Sequence, residues 1–107
     1  MTKIIEAKNF EQACFEIEKS KGKVVLKNSE GSHESLGIGY IKALGEMLVE
    51  KYGDKIARVE FDADEDASVA IAAMRGGFKN IHFKGNKNIY NKLCDIGKLQ
   101  GIKISNF

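Results

Sequence analysis

The sequence predicts a single α/β domain, spanning positions 1–107, with about four to five mainly parallel strands and with helices largely on one face of the sheet. Short β-branched runs alternate along the chain with longer segments whose apolar residues recur at helical spacing, which is the pattern of βα repeats. Within the strands, apolar residues alternate with polar ones. Parallel strands covered by helices on both faces would instead be continuously apolar.

Capping residues and hydrophobic spacing set the predicted boundaries. Asn9 is a typical N-cap, Asp66 or Ser68 can cap a short apolar helix, and Gly53 is a typical helix stop. The predicted order is strand 3–6, a helix from 10 to 22, strand 24–26, loop 28–35, helix 35–52, strand 56–61, helix 69–74, strand 81–83, a helix carrying Ile89, Leu93, Ile96 and Leu99, and strand 102–104.

Residue alternation assigns the two faces of the sheet. Ala57, Val59 and Phe61 are expected on the apolar face, with Arg58 and Glu60 opposite them. By the same pattern Ile81 and Phe83 oppose His82, and Ile102 and Ile104 oppose Lys103. We therefore expect one polar face, open to solvent or used as an interface, with Arg58, Glu60 and His82 as candidate interface residues. Uneven covering of a doubly wound sheet is the alternative.

Composition limits the classes of partner. The net charge is only +2, and 17 basic and 15 acidic residues are mixed along the chain, which indicates a solvated surface and no nucleic-acid partner. Cys14 and Cys94 lie in apolar phases outside any CxxC motif, so we interpret both as reduced core thiols and expect neither metal nor cofactor. A signal peptide and a run of about twenty apolar residues are missing, which predicts a cytoplasmic protein without membrane contact.

Ligands in open α/β sheets bind beyond the carboxyl ends of the strands. The loops at that edge are 28–35, 62–68 and 84–88, with the tail 105–107. The first loop combines a histidine and serines with a helix start, which suits ordinary turn and capping chemistry or, alternatively, capture of an anion. It carries no nucleotide fingerprint, and no GxSxG motif frames its serines. Its polar residues are Ser29, Ser32, His33, Glu34 and Ser35.

The second loop is acidic. Asp62, Asp64, Glu65 and Asp66 follow a strand and precede a helix, where carboxylates cap the helix and interact favourably with its dipole. The alternative is a divalent-cation site or an acid/base pair. The candidate ligand-binding residues of the strand ends are Ser29, Ser32, His33, Asp62, Glu65 and Lys84.

The segment DADEDASVAIAAMRGG, residues 62–77, resembles one found in small alphaproteobacterial α/β proteins. In those proteins an Asp-rich turn leads into an A-L-A-A-L-R-x-G helix and then a V-x-F-x-G strand. The resemblance covers roughly residues 56–85 and implies no activity. The matching residues are Asp62, Glu65, Ala70, Ala72, Ala73, Arg75, Gly77 and Gly85.

The chain is also similar in architecture to STAS domains, in its size, its β-α alternation and a serine near the helix after a central strand. Ser68 is the corresponding residue, and Ala67-Ser68 stands where those domains usually have Asp-Ser. This resemblance implies a regulatory module and carries no phosphorylation site over to this chain.

Two function classes follow from these observations. The first is a non-enzymatic interaction or regulatory module, with a protein partner or self-association through the polar sheet face. The second is a small-molecule or anion binder, or an enzyme, that uses the strand-end loops. The loops contain no complete catalytic motif, which favours the first class.

Overall fold

Five parallel strands form one sheet in the order β1-β2-β3-β4-β5, so each strand pairs with the next one along the chain. The computed structural model describes residues 2–106; Phe107 and the side chain of Ser35, both in predicted strand-end segments, lie outside the described residues. The elements are β1 (Lys3–Glu6), α1 (Phe10–Lys19), β2 (Val24–Lys27), α2 (Ser32–Leu36), α3 (Ile38–Tyr52), β3 (Ile56–Asp62), α4 (Ala67–Arg75), β4 (Asn80–His82), α5 (Lys87–Gln100) and β5 (Lys103–Ser105).

All the long helices pack on one face of this sheet, as the strand patterns predict. Two hydrophobic clusters form the core, one between α1, α3 and β1–β3 and the other between α3, α4, α5 and β3–β5. A sequential strand order produces this one-sided layer because parallel crossovers share one hand. The strand residues in these clusters all lie on the same face of the sheet, as the strand registers show. They are Ile5, Val24, Leu26, Ile56, Phe61, Ile81 and Ile104.

Capping residues begin the helices where the sequence indicates. The side chain of Asn9 accepts from the backbone N–H of Gln12, and that of Asn86 accepts from Asn88 and Ile89. The N-cap of α4 is Asp66, one of the two residues predicted for that role. These bonds satisfy N–H groups that an uncapped first turn leaves unpaired.

The segment between β2 and α3 differs from the prediction. Residues 28–35 are not a simple loop, because the short helix α2 begins within them at Ser32 and ends at Leu36. The predicted helix 35–52 is broken at Gly37, whose φ of 83° and ψ of 151° are not helical. Glycine reaches this conformation at little steric cost, so a pattern of hydrophobic residues alone does not reveal the break.

Several predicted core positions, in β3 and in α5, are wrong. Ala57 is exposed and Ile56 takes its place in the core, because the β2–β3 register shifts between Val24 and Val25 and one extra β3 residue is accommodated. In α5, Leu99 is 90% exposed and Ile96 is also exposed. Gly97 occupies the buried side of that turn instead, which lets α5 approach the end of the sheet. Both cysteines are half-buried at the edges of the core.

The opposite face of the sheet carries Ile4, which is 59% exposed, and a set of long polar side chains. Yet Val25, Asp62 and His82 on the same face are nearly inaccessible. Two of them contact each other, since Asp62 lies beside His82, and Lys27 also contacts Asp62. We refer to this surface as the open face.

Two glycine substitutions test the packing of the helix layer. A Cβ at Gly97 would lie 2.9 Å from the carbonyl oxygen of Ile102, so Gly97→Ala should destabilise the fold by about 1–3 kcal/mol. Gly39 also lies in a helix, and a Cβ there would have no other group within 4 Å. Gly39→Ala should therefore raise the free energy of unfolding by about 0.5 kcal/mol. Urea unfolding measures both free energies; equal effects would contradict the close approach of α5 and the sheet.

Candidate functional site

Asp64 joins the three loops at the carboxyl ends of β2, β3 and β4. Its Oδ2 accepts from the backbone N–H of Gly31 at 2.9 Å and lies 3.0 Å from Nε2 of His33. Its backbone oxygen accepts from the N–H of Lys84 at 2.9 Å, and its Oδ1 lies 3.9 Å from the Lys84 ammonium. Asp64 has a φ of 55°, a conformation that aspartate tolerates better than most residues. One carboxylate therefore fixes the positions of all three loops.

Asn28 extends the pairing of β2 and β3 beyond the last strand residue. Its Oδ1 accepts from the N–H of Asp62 at 2.7 Å, and its Nδ2 donates to the carbonyl oxygen of Asp62 at 3.1 Å. The amide side chain thus reproduces the donor and acceptor of a backbone peptide. Asn28 is buried, so this pairing also satisfies polar groups that would otherwise be costly to bury.

The carboxylate of Asp62 is buried on the open face between two basic side chains. Asp62 is 2% exposed; its Oδ2 lies 3.5 Å from Nζ of Lys27, and its Oδ1 lies 3.8 Å from Nδ1 of His82. Oδ1 also accepts from the N–H of Asp64 at 2.9 Å. A buried carboxylate needs such partners, because removal from water strongly disfavours its charged form. Asp62 is therefore a structural anchor beneath the loops.

A wide, shallow depression of about 830 Å³ lies above these anchors. Its rim is acidic, with five carboxylates against one lysine and one histidine. The ammonium of Lys84 is 3.2 Å from the carboxylate of Glu30, and this contact raises the pKa of Lys84. The lining residues that carry charge or a hydroxyl are Glu30, His33, Glu34, Asp64, Glu65, Asp66, Ser68 and Lys84. We refer to this surface as the strand-end surface.

Asp66 and Ser68 form the first turn of α4 at this surface. Oδ1 of Asp66 accepts from the backbone N–H groups of Ser68 and Val69 and from Oγ of Ser68 at 2.6 Å. The hydrogen bond from the Ser68 hydroxyl, followed by that from Val69, lowers the pKa of Asp66. The hydroxyl of Ser68 is thus held by the helix cap.

The six predicted ligand residues divide into two groups. His33, Glu65 and Lys84 line the strand-end surface. Asp62 lies below it, and Ser32 accepts at Oγ from Nδ2 of Asn28. Ser29 does not belong to the lining.

The predicted interface residues form two different ion pairs on the sheet. Arg58 and Glu60 pair with each other on one strand, with Nε 2.6 Å from Oε2, and Arg58 is half-exposed. His82 faces Asp62 across β3 and β4 and is only 7% exposed. Of the three, Arg58 is therefore the accessible one, whereas the side chains of Glu60 and His82 are mostly buried beside Arg58 and Asp62.

Asn28 was not among the predicted site residues, and Asp64 was predicted only as a member of the acidic loop, not as a connection between loops. For Asp64 the available signal is the Asp-Ala-Asp spacing, which puts two carboxylates two residues apart at a strand end. For Asn28 it is an amide directly after a buried strand. Neither signal shows which other loop the side chain reaches, because that depends on the strand order.

The chemistry available at this site is ionic and hydrogen-bonding. Within residues 2–106, no three His, Cys, Asp or Glu side chains are arranged to hold a metal ion. Across the same described residues, no helix is long and apolar enough to span a membrane.

Comparison of the chain with family models, curated proteins and solved structures found no match.

The contact between His33 and Asp64 should stabilise the β2–α2 loop. Both side chains are mostly buried, so a double-mutant cycle with His33→Ala and Asp64→Gly should give a coupling of about 1–2 kcal/mol in urea unfolding. Glycine at position 64 keeps the positive φ accessible. A control cycle pairing Asp64→Gly with Asp95→Ala on α5 should give almost none; equal couplings in the two cycles would contradict this role.

The cap of α4 should make stability depend on pH. Because the pKa of Asp66 is lower in the folded chain than its ordinary value, its ionised form stabilises the fold above that ordinary value. The contribution is lost as the pH falls through the lowered pKa. The difference in unfolding free energy between wild type and Asp66→Ala should therefore be largest near pH 7 and shrink towards pH 2. A difference that grows in acid would contradict the assignment.

Proposed function

We propose that this protein is a non-enzymatic interaction or regulatory module whose strand-end surface binds a basic region of a partner protein. One observation carries the proposal. The groups that could do chemistry at the strand ends are bonded to one another, as in His33 with Asp64 and Asp62 with Lys27. The exposed carboxylates of Glu34 and Glu65 form no ion pair within the described residues.

The engaged groups favour binding over catalysis. In nucleophilic catalysis the base lies within hydrogen-bond reach of the nucleophile and is itself oriented by a third group. Here Nε2 of His33 already contacts Asp64, and the hydroxyl of Ser68 already donates to Asp66. The network gives the surface a fixed shape, which lowers the entropy cost of binding a partner.

The charge of the surface identifies the partner. Five carboxylates border a shallow surface that holds one lysine and one histidine, so a basic partner is attracted and an acidic one is repelled. Lysine or arginine side chains of the partner can pair with Glu34 and Glu65 without breaking an existing ion pair. The similarity to STAS domains noted above supports a regulatory role, and a cytoplasmic location would fit it.

A small-molecule ligand is the second candidate, because about 830 Å³ lies within the range of small-molecule sites. The acidic rim favours an amine over the anion considered from the sequence. Thermal unfolding distinguishes these classes: a ligand present at a hundred times its dissociation constant stabilises by roughly 2.7 kcal/mol. Stabilisation by amines, with none by phosphates or carboxylates, would support this second candidate.

Charge reversal tests the primary proposal. Glu34→Lys with Glu65→Lys should abolish binding of a partner captured by the wild-type chain, whereas Glu11→Lys with Asp95→Lys, on α1 and α5, should retain it. Binding to the wild type should also weaken as the salt concentration rises, since exposed charges are screened. Thermal unfolding checks that all variants fold. Retention of the same partner by the Glu34/Glu65 variant would contradict the proposal.

A further inference from the structure

We infer that a second site, the groove between α3, β3 and the start of β4, binds an extended basic peptide segment of a partner protein. The segment adds as a strand to the free edge of β3. This groove lies at the amino end of β4, whereas the strand-end surface lies beyond its carboxyl end. The inference is therefore independent of the function proposed above.

The first observation is an unpaired strand edge. β3 runs from Ile56 to Asp62, but its register with β4 includes only Phe61 with Ile81 and Asp62 with His82. Within residues 2–106, the first five residues of β3 therefore have no register partner in β4. On the other side, four of these five residues are paired with β2, all except Ala57.

The orientation of the free peptide groups follows from the hydrogen bonds at the end of β3. The N–H of Ala63 donates to the carbonyl oxygen of His82, so Ala63 faces β4, while the N–H of Asp62 donates to Asn28 beside β2. Because alternate residues of a regular strand direct their peptide groups to the same edge, Val59 faces the groove, and the alternation ends at the register shift beside Ala57. Such an edge is a template for an added strand.

The second observation is the cavity along this edge. It has a volume of about 570 Å³, and Gly45, Val59 and Phe78 line its apolar part. Internal contacts hold the walls of the groove: the ring centroids of Phe78 and Phe61 are 4.8 Å apart, and Lys42 lies over the Phe78 ring while donating to the carbonyl oxygen of Gly77. An apolar groove beside a free strand edge suits an extended chain better than a compact ligand.

The third observation is the charge on the helical wall. Glu46 and Glu50 lie one turn apart on α3, line the groove and are exposed. Across the described part of the chain neither carboxylate forms an ion pair. The lining also holds three cations: Lys42 donates to the carbonyl oxygen of Gly77, Arg58 pairs with Glu60, and Lys79 precedes β4 on the opposite wall. An added strand that directs basic side chains towards α3 would meet unpaired carboxylates.

The length of the free edge fits a short segment. At roughly 3.3 Å per residue, the five unpaired residues of β3 present about 17 Å of edge. The segment should alternate, with lysine or arginine on the side facing Glu46 and Glu50. Its other side chains would lie on the open face beside Arg58 and Glu60.

The experiment uses three labelled peptides on the full chain, in fluorescence anisotropy and in NMR titrations of the backbone amides. The first is acetyl-KVKVKVK-amide, the second is acetyl-EVEVEVE-amide, and the third is the basic peptide with alternate amides N-methylated. The basic peptide should bind at physiological salt and shift the amides of Gly45, Val59 and Phe78. The acidic and N-methylated peptides should each bind at least tenfold more weakly.

Matched variants separate charge at the groove from charge elsewhere. Glu46→Gln with Glu50→Gln should weaken binding of the basic peptide about five- to tenfold, as expected for two exposed ion pairs. Glu11→Gln with Asp95→Gln removes the same charge from α1 and α5 and should change affinity less than twofold. All four positions are exposed, so the variants should fold, which thermal unfolding confirms.

Three results would overturn the inference: no binding of the basic peptide, equal binding of the acidic or N-methylated peptide, or amide shifts confined to the strand-end surface at 30–34 and 64–66. Shifts confined to that surface would support the proposed function while removing the groove. Shifts in the groove, combined with partner capture that Glu34→Lys and Glu65→Lys leave unchanged, would support the groove alone.

Discussion

The sequential order of five parallel strands is the constraint on which the rest of this structure depends. Because each strand pairs with the next, every crossover returns on the same side, and all the long helices form one layer. The chain then has to keep a sheet stable with only one covered face. Its strands do so by alternation: the residues that face the helices form the apolar core, and the opposite face carries polar side chains, with the buried Asp62 paired to Lys27 and His82.

The same order explains why the strand ends form a single surface. Neighbouring strands in the sheet are neighbours in the chain, so successive strand-end loops lie side by side and short side chains can connect them. Asn28 connects β2 to β3, and Asp64 connects three loops at once. These contacts engage the residues that resemble catalytic groups and leave Glu34 and Glu65 at the surface. The proposed binding of a basic partner rests on these surface carboxylates and on the contacts that hold the loops together.

Much of the fold could be predicted from the sequence because alternation within strands and helical spacing between them report directly on burial. Phe61, Ile81 and Ile104 lie in the core for this reason. What failed depends on geometry that no local pattern encodes: the helix break at Gly37, the register shift that exchanges Ala57 for Ile56, and the burial of Gly97 in place of Leu99. The site was predicted in part, since the strand ends were located correctly but the role of Asp64 requires the strand order.

The one-sided sheet is tested most directly by solvent paramagnetic relaxation of methyl groups with a gadolinium chelate. Ile4 and Ile5 are adjacent in β1 but lie on opposite faces, with 59% and 2% exposure. The account predicts strong relaxation enhancement of the Ile4 methyl groups and almost none for Ile5. Equal protection of both residues would show that the open face is covered, which would contradict the one-sided arrangement from which the strand-end surface and the groove are derived.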